Sequence, residues 1–312
     1  MSAPYGNLQN NRTSSSASPL RSGFLRLAAQ VTRRFRPPGM ERLLRLFCNP
    51  DGPSYTHFQC LAPYGGNFLI HVDTSSFLEW SVFFFGHYEP EVVRHIQRYL
   101  PTGGVALDVG ANVGLMTLVM AKATGTGGRV IAVEPNPRVF ERLSQNLQLN
   151  RVERITLYPC ALGAGPGKAT LHCPVANSVN QGCATFASKT QAPLSEDLEV
   201  SVQTLDQIVK QEQLLRLDLV KIDTEGWDFF VLKGGARTIE SFRPVILFEF
   251  MKPGWTEAGV RLEEAAEWLR CLHYRLWAIQ GRRLVPLRNV RVDCFNILAL
   301  PTLSDQSKPS PR

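Results

Sequence analysis

The stretch Leu107-Asp108-Val109-Gly110-Ala111-Asn112-Val113-Gly114 continues the apolar run Val105-Ala106 and passes directly into Leu115-Met116-Thr117-Leu118-Val119-Met120-Ala121. The first part reads as a buried strand, the last as an apolar helix ending near Gly125, and the glycines between them as a tight turn. Strand, turn and helix make half of a βαβ unit. Glycines let the backbone approach a ligand closely, and the start of the helix offers unpaired N–H groups to it.

Glycine spacing selects the ligand. A dinucleotide fold carries G-x-G-x-x-G so that a pyrophosphate rests on the helix N-terminus. Here Gly110 and Gly114 are spaced G-x-x-x-G behind Asp108. That carboxylate would repel a pyrophosphate but can face the ammonium of a methionine moiety. The next strand, Arg129-Val130-Ile131-Ala132-Val133, ends at Glu134-Pro135-Asn136-Pro137. An acid at that strand end accepts hydrogen bonds from two ribose hydroxyls, as in NAD or S-adenosylmethionine sites. Together these features favour S-adenosylmethionine over NAD, against the bland reading in which the glycines only turn the chain and Glu134 only caps a helix.

Four stretches resemble the FkbM-type methyltransferases, a family of S-adenosylmethionine-dependent enzymes. They are Gly86-His87-Tyr88-Glu89-Pro90, Asp108 to Gly114, Lys221-Ile222-Asp223-Thr224-Glu225-Gly226, and Arg243-Pro244-Val245-Ile246-Leu247-Phe248-Glu249-Phe250. Their order and spacing extend the resemblance from about residue 68 to the strand ending near Pro301. The chain departs from the family where Trp227-Asp228 follows Gly226 and where Cys160 precedes Ala161-Leu162-Gly163. The resemblance implies a Rossmann-like α/β fold, the class I methyltransferase sheet of seven strands with the last antiparallel. It also implies S-adenosyl-L-methionine as cofactor, and acceptors that are hydroxyls on sugars, glycans or secondary metabolites. N-methylation of a small amine and a non-catalytic methyltransferase-like scaffold are the alternatives. Asp108, Gly110, Gly114 and Glu134, intact here, argue against the scaffold, and the resemblance adds Asn112, Asn136, Ala161 and Glu89 to the cofactor-binding set.

Around this unit the pattern alternates strand and helix. Strands are expected at Val105–Val109, Val130–Val133, Ile155–Pro159, Leu217–Ile222, Val245–Phe250, Arg275–Ile279 and Cys294–Leu300, which makes a parallel sheet. Ahead of them, strands Phe58–Leu61 and Phe68–Val72 and a helix Phe77–Phe85 form a small α/β cap, and a further helix begins at Pro90. The division expected is a basic segment over 1–50, the cap over 51–100, the methyltransferase domain over 101–302 and a tail over 303–312. Between the third and fourth strands, Gly163 to Val200 is long and rich in Gly, Ser, Asn and Pro, well placed to cover a substrate at the carboxyl ends of the strands.

Methyl transfer is an in-line displacement, and a hydroxyl acceptor must also lose its proton. Strand ends select Asp223, Glu225 and Glu249 as catalytic candidates. Glu249 interrupts an apolar strand, where a carboxylate needs a partner or a function. Asp223 can equally hold the cofactor or cap a helix, Glu225 can bond local backbone, and Lys221 can pair with one of these acids. His87 and Glu89 could fold over the same crevice, with His87 ranked below the carboxylates. No spacing specifies a metal site.

Residues 1–50 contain eight arginines, no lysine and one acid, Glu41, so the formal charge of +7 resides there and the remainder holds as many acids as bases. A nucleic-acid-binding face on the catalytic part is unsupported. The basic segment reads as a flexible tail, with a membrane-surface amphipathic helix and a transit peptide as other readings. No apolar run approaches the ~20 residues of a membrane span. Seven scattered cysteines without a C-x-x-C pair fit a reducing, cytoplasmic setting. Oligomeric state is not encoded in these motifs.

Overall fold

The computed structural model describes residues 19–35, 39–49, 57–174, 184–186, 195–290 and 292–302; the 303–312 tail lies outside the described residues. Helices α1 (Pro19–Arg34) and α2 (Met40–Cys48) precede a hairpin of β1 (Gln59–Tyr64) and β2 (Phe68–Asp73), then α3 (Phe77–Phe85) and α4 (Pro90–Tyr99). The alternating part runs β3 (Val105–Val109), α5 (Leu115–Thr124), β4 (Arg129–Val133), α6 (Pro137–Leu149) and β5 (Ile155–Tyr158). It continues through β6 (Ala161–Leu162), β7 (Gly167–Pro174), β8 (Ser195–Gln203), α7 (Leu205–Gln211), β9 (Leu219–Ile222), α8 (Asp228–Gly234), α9 (Ala236–Phe242) and β10 (Val245–Met251). The last elements are α10 (Lys252–Glu257), α11 (Leu262–Cys271), β11 (Tyr274–Gln280), β12 (Arg283–Pro286) and β13 (Cys294–Pro301).

The large sheet has the order β12-β11-β13-β10-β9-β3-β4-β5. Strands β5, β4, β3, β9 and β10 are parallel, and β13 inserts antiparallel between β10 and β11. This is the class I methyltransferase order, with the final strand reversed as expected. It carries one strand more than the seven read from sequence. β12 pairs with β11 as a four-residue edge hairpin, too short to show a period of its own. Central strands are buried on both faces, so β3, β4 and β9 are almost wholly apolar, as a parallel sheet covered by helices requires.

The long connection after β5 is more ordered than its composition suggests: β6, β7 and β8 form a separate three-stranded sheet in the order β6-β8-β7. The turn-forming residues that made it read as a loop fall largely between β7 and β8, where only residues 184–186 are described.

The hairpin cap is fastened to α6 by amide side chains. Leu69 and His71 of β2 donate their N–H groups to Asn150 Oδ1 (2.9 Å) and Asn146 Oδ1 (2.8 Å), and Asn146 Nδ2 donates to the carbonyl of Val113 (2.9 Å). Arg142 of α6 pairs with Glu79, buried at the first turn of α3. The cap therefore bears directly on the turn that follows β3.

The reading of residues 1–50 as a flexible tail needs correction for its described part. Helix α1 buries Leu25, Ala29 and Thr32 against the cap, Thr32 Oγ1 donates to the carbonyl of Phe84 (2.5 Å), and Arg33 Nε donates to that of Phe83 (2.9 Å). Trp80 of α3 donates Nε1–H to the carbonyl of Cys48, at the end of α2 (2.7 Å). The positions Leu25, Ala29 and Thr32 have helical spacing, but the arginines between them mask the pattern. Burying one leucine stabilises by ~1.5–3 kcal/mol, so removing residues 1–38 is expected to lower the melting temperature by roughly 5–10 °C. An unchanged melting temperature would show that α1 does not hold this position in solution.

Candidate active site

A cleft opens at the carboxyl ends of the central strands, the place where α/β sheets of this type bind ligands. Its floor is the Val109–Asn112 turn after β3, with Val133, Glu134 and Pro135 after β4 and Asp223, Thr224 and Glu225 after β9. Glu249 enters from β10, and Tyr88 with the start of α3 (Ser76, Phe77, Leu78) closes the cap side. Cys160, Ala161 and Leu162 line the side of β5, and Leu171, Ala184 and Phe186 of the insertion reach the same space. Thr185 Oγ1 donates to the carbonyl of Glu225 (3.3 Å), holding that part of the insertion across the end of β9.

The turn after β3 is fixed by close approach. Gly110 has φ +76°, and a Cβ there would lie 1.8 Å from the carbonyl oxygen of Asp223. Gly114 has φ +93°, and its Cβ would meet Leu143 Cδ1 at 2.7 Å. The glycines expected to admit a ligand are thus required first by the protein's own packing: Gly110 lets the β3 and β9 exits touch, and Gly114 lets α5 start beneath α6. Of the two, Gly110 also lines the cleft.

Glu134 is buried at the end of β4, where Oε2 accepts from the N–H of Asn112 (3.0 Å) and Oε1 from that of Asn136 (2.9 Å). Burial outweighs these two bonds and pushes its carboxyl up to about 7. A carboxylate has roughly four lone-pair sites, so capacity for two further donors remains. This fits the vicinal hydroxyls of a ribose. Ala111, Asn112 and Ala161 contribute to the adjoining wall.

Three of the expected cofactor-binding residues lie behind the wall. Asp108 is fully buried, accepts from Thr117 Oγ1 (2.6 Å), and its Oδ1 has no hydrogen-bond partner among the described residues. Burial raises its carboxyl above the usual value, and the neighbouring Lys221 partly offsets this. Asn136 caps α6, accepting from the N–H of Arg138 (3.1 Å). Glu89 stands at the start of α4 with φ +40° and accepts from Asn296 Nδ2 (2.9 Å). His87 lies outside the wall, stacked on Phe85.

Lys221 is only 4% exposed and its Nζ donates to Asp223 Oδ2 at 3.0 Å. Burial opposes its charge, but Asp223, Asp108 and Glu89 outweigh burial and hold the ammonium above its usual value. Asp223 is thereby anchored with its carboxyl on the cleft wall. Glu249 contrasts with it. Burial, then repulsion from Asp223, Glu225, Asp228 and Glu89, pushes Glu249 up to about 9. The group donating to it is the Cys294 thiol, 3.4 Å from Oε1.

The family model for the methyltransferase FkbM domain matches residues 108–276. This chain belongs to the FkbM methyltransferase family. It is 28% identical over 187 residues to "Methyltransferase sdnD" of Sordaria araneosa, covering 52% of this chain and 70% of that protein. Over 162 residues it is 27% identical to "Hexuronic acid methyltransferase AglP" of Haloferax volcanii, covering 51% and 61% respectively. With "Methyltransferase 1" of Beauveria bassiana it shares 27% over 150 residues, covering 43% of this chain and 59% of that one. The matched stretches therefore span about six- to seven-tenths of these relatives' lengths.

Sequence reasoning on this FkbM chain missed Tyr88, Phe77, Leu78 and Phe186 as cleft residues, because apolar and aromatic side chains near a core carry no distinguishing spacing. It also passed over Asp228, noted only as a departure. Asp228 is fully buried, accepting from the N–H of Glu249 (3.1 Å) and from Thr224 Oγ1 (3.0 Å), and so links α8 to the β10 carboxylate. Burial first, and Asp223 next, push it up to about 7.

Two substitutions test this arrangement. Glu134→Ala is expected to weaken S-adenosylhomocysteine binding by ~1.5–3 kcal/mol, roughly 10- to 150-fold, in a protein shown by its melting curve to be folded; unchanged affinity would remove Glu134 from the ribose site. Lys221→Met leaves buried carboxyls uncompensated. It should cost about 3 kcal/mol or more in urea unfolding at pH 8, and less at pH 5, because burial first of all raises Asp108 and Glu89 above their usual values and lower pH favours their neutral forms. An equal cost at both pH values would mean that Lys221 acts by packing alone.

Proposed function

We propose that the cleft binds S-adenosylmethionine and directs its methyl group to a hydroxyl of a small, uncharged, polyhydroxylated acceptor such as a sugar. The observation that carries this reading is Glu249, an acid held above its ordinary range on the cleft wall opposite the ribose-suited Glu134. S-adenosylmethionine, when bound, supplies an electrophilic sulfonium methyl. The Val109–Asn112 turn and Glu134 orient the nucleoside part, and Ala161 with Leu162 offers an apolar wall. The carboxylates of Asp223 and Glu225, joined by Glu249 once it is ionised, give the cleft a negative field that suits a cationic donor and weakens retention once that charge is gone.

Glu249 takes the acceptor's proton in this scheme. A base works best when its proton affinity is near the operating pH or above it, provided that it can be emptied. Asp223, fixed by Lys221, positions the acceptor hydroxyl. Asp223 and Glu225, and Glu249 once ionised, oppose an anionic acceptor, which argues for a neutral sugar here even though the Haloferax relative is named for a hexuronic acid. Aromatic Tyr88, Phe77 and Phe186 supply flat surfaces of the kind that pack against sugar rings.

Since the ionised form of Glu249 is the active one, kcat/KM is expected to rise with pH to a midpoint of about 9 and to fall off at lower pH. The readout is S-adenosylhomocysteine formation with neutral hydroxylated acceptors. Glu249→Gln should flatten that limb and lower turnover by roughly 100-fold or more, with little change in affinity for S-adenosylhomocysteine. A Glu249→Gln enzyme that keeps the limb would take the role of base away from Glu249, and N-methylated products would overturn the hydroxyl assignment.

A further inference from the structure

The amino-terminal helices present an apolar stripe that no part of the proposed chemistry uses. Phe24, Leu27, Val31 and Phe35 follow one another at intervals of three and four and are 67%, 59%, 52% and 68% exposed. They share a side of α1 distinct from the Leu25, Ala29 and Thr32 side that packs on the cap. Leu43 and Leu46 of α2 repeat the pattern, and both are more than half exposed. Lone exposed apolar residues need no explanation, but a run at helical spacing on two successive helices marks an interaction surface.

Charge identifies what the surface meets. Among the residues whose side chains are described, Arg26, Arg34, Arg42 and Arg45 are the exposed arginines of these two helices, and Glu41, their one acid, pairs with Arg45 (3.1 Å). The net charge of the chain resides in residues 1–50. An apolar stripe flanked by arginine, on a helix whose opposite side is already anchored to the protein, is the pattern that lies in the headgroup layer of an anionic bilayer. We infer that α1 and α2 together dock this protein on an anionic lipid surface. The docking face adjoins the cleft: the Arg45 guanidinium lies 4.2 Å from the ring centroid of Phe77, the residue that lines the cap side of the active site. None of the described helices is long and apolar enough to cross a membrane, so the contact is peripheral. The inference does not depend on the acceptor or on the proposed base.

Sedimentation of the full chain with lipid vesicles tests it. At about 0.15 M salt, the protein is expected to co-sediment with phosphatidylcholine vesicles containing about 30 mol% phosphatidylglycerol and to stay in the supernatant with phosphatidylcholine alone. The triple variant Phe24→Ser, Leu27→Ser, Val31→Ser changes only exposed side chains and should lose at least about ten-fold in binding at an unchanged melting temperature. Arg34→Glu with Arg42→Glu should do likewise. Failure of the parent protein to bind anionic vesicles overturns the inference, as does equal binding to both vesicle types. A dimer in sedimentation velocity that the triple variant dissolves would also overturn it, assigning the stripe to a second copy of the chain.

Discussion

The buried ammonium of Lys221 organises the middle of this molecule. Lys221 sits in β9, directly beside Asp108 of β3 in the sheet register, and its charge is met by Asp223 two residues later, just past the end of the strand. An uncompensated cation in that position would cost several kcal/mol, so the strand exits and the Glu89 end of α4 are held in one arrangement. The carboxyls that answer Lys221 divide between two roles. Asp108 and Glu89 stay behind the wall, and Asp223 reaches it.

The same constraint explains the cleft floor. With β3 and β9 side by side, their exits approach so closely that Gly110 has no room for a side chain. The turn that results carries Asn112, whose N–H binds Glu134, and Val113, whose carbonyl receives Asn146 from α6. Asn146 in turn holds the cap hairpin through His71. A chain of short polar contacts thus runs from the central strand through the nucleoside side of the cleft to the cap. Burial of the acids, reinforced by their mutual repulsion, is the counterpart of this order: it pushes Glu249 up to about 9 and Asp228 up to about 7, and a carboxyl so placed is a strong base when emptied.

Much of this was legible in the sequence because parallel strands are apolar on both faces and glycine turns are short. The β3 turn, the acid after β4, the strand order and the convergence of Asp223, Glu225 and Glu249 all follow from local pattern and family resemblance. The direction in which a side chain points is another matter. Asp108, Asn136 and Glu89 share their motifs with true cleft residues, yet the first answers Lys221, the second caps α6 and the third binds Asn296. Long-range packing was equally hidden. Helix α1 docks by three small or medium side chains set among arginines, β12 is four residues long, and the aromatic cleft residues look like core until the cap is placed.

We propose that the turn after β3 and the acid after β4 together form a nucleoside site for S-adenosylmethionine and not for a dinucleotide. Calorimetric titration of the unmodified protein with S-adenosylhomocysteine, and separately with NADH, tests this most directly. Micromolar binding of S-adenosylhomocysteine with no measurable heat from NADH is the predicted result. Binding of NADH, or of neither ligand, would contradict it.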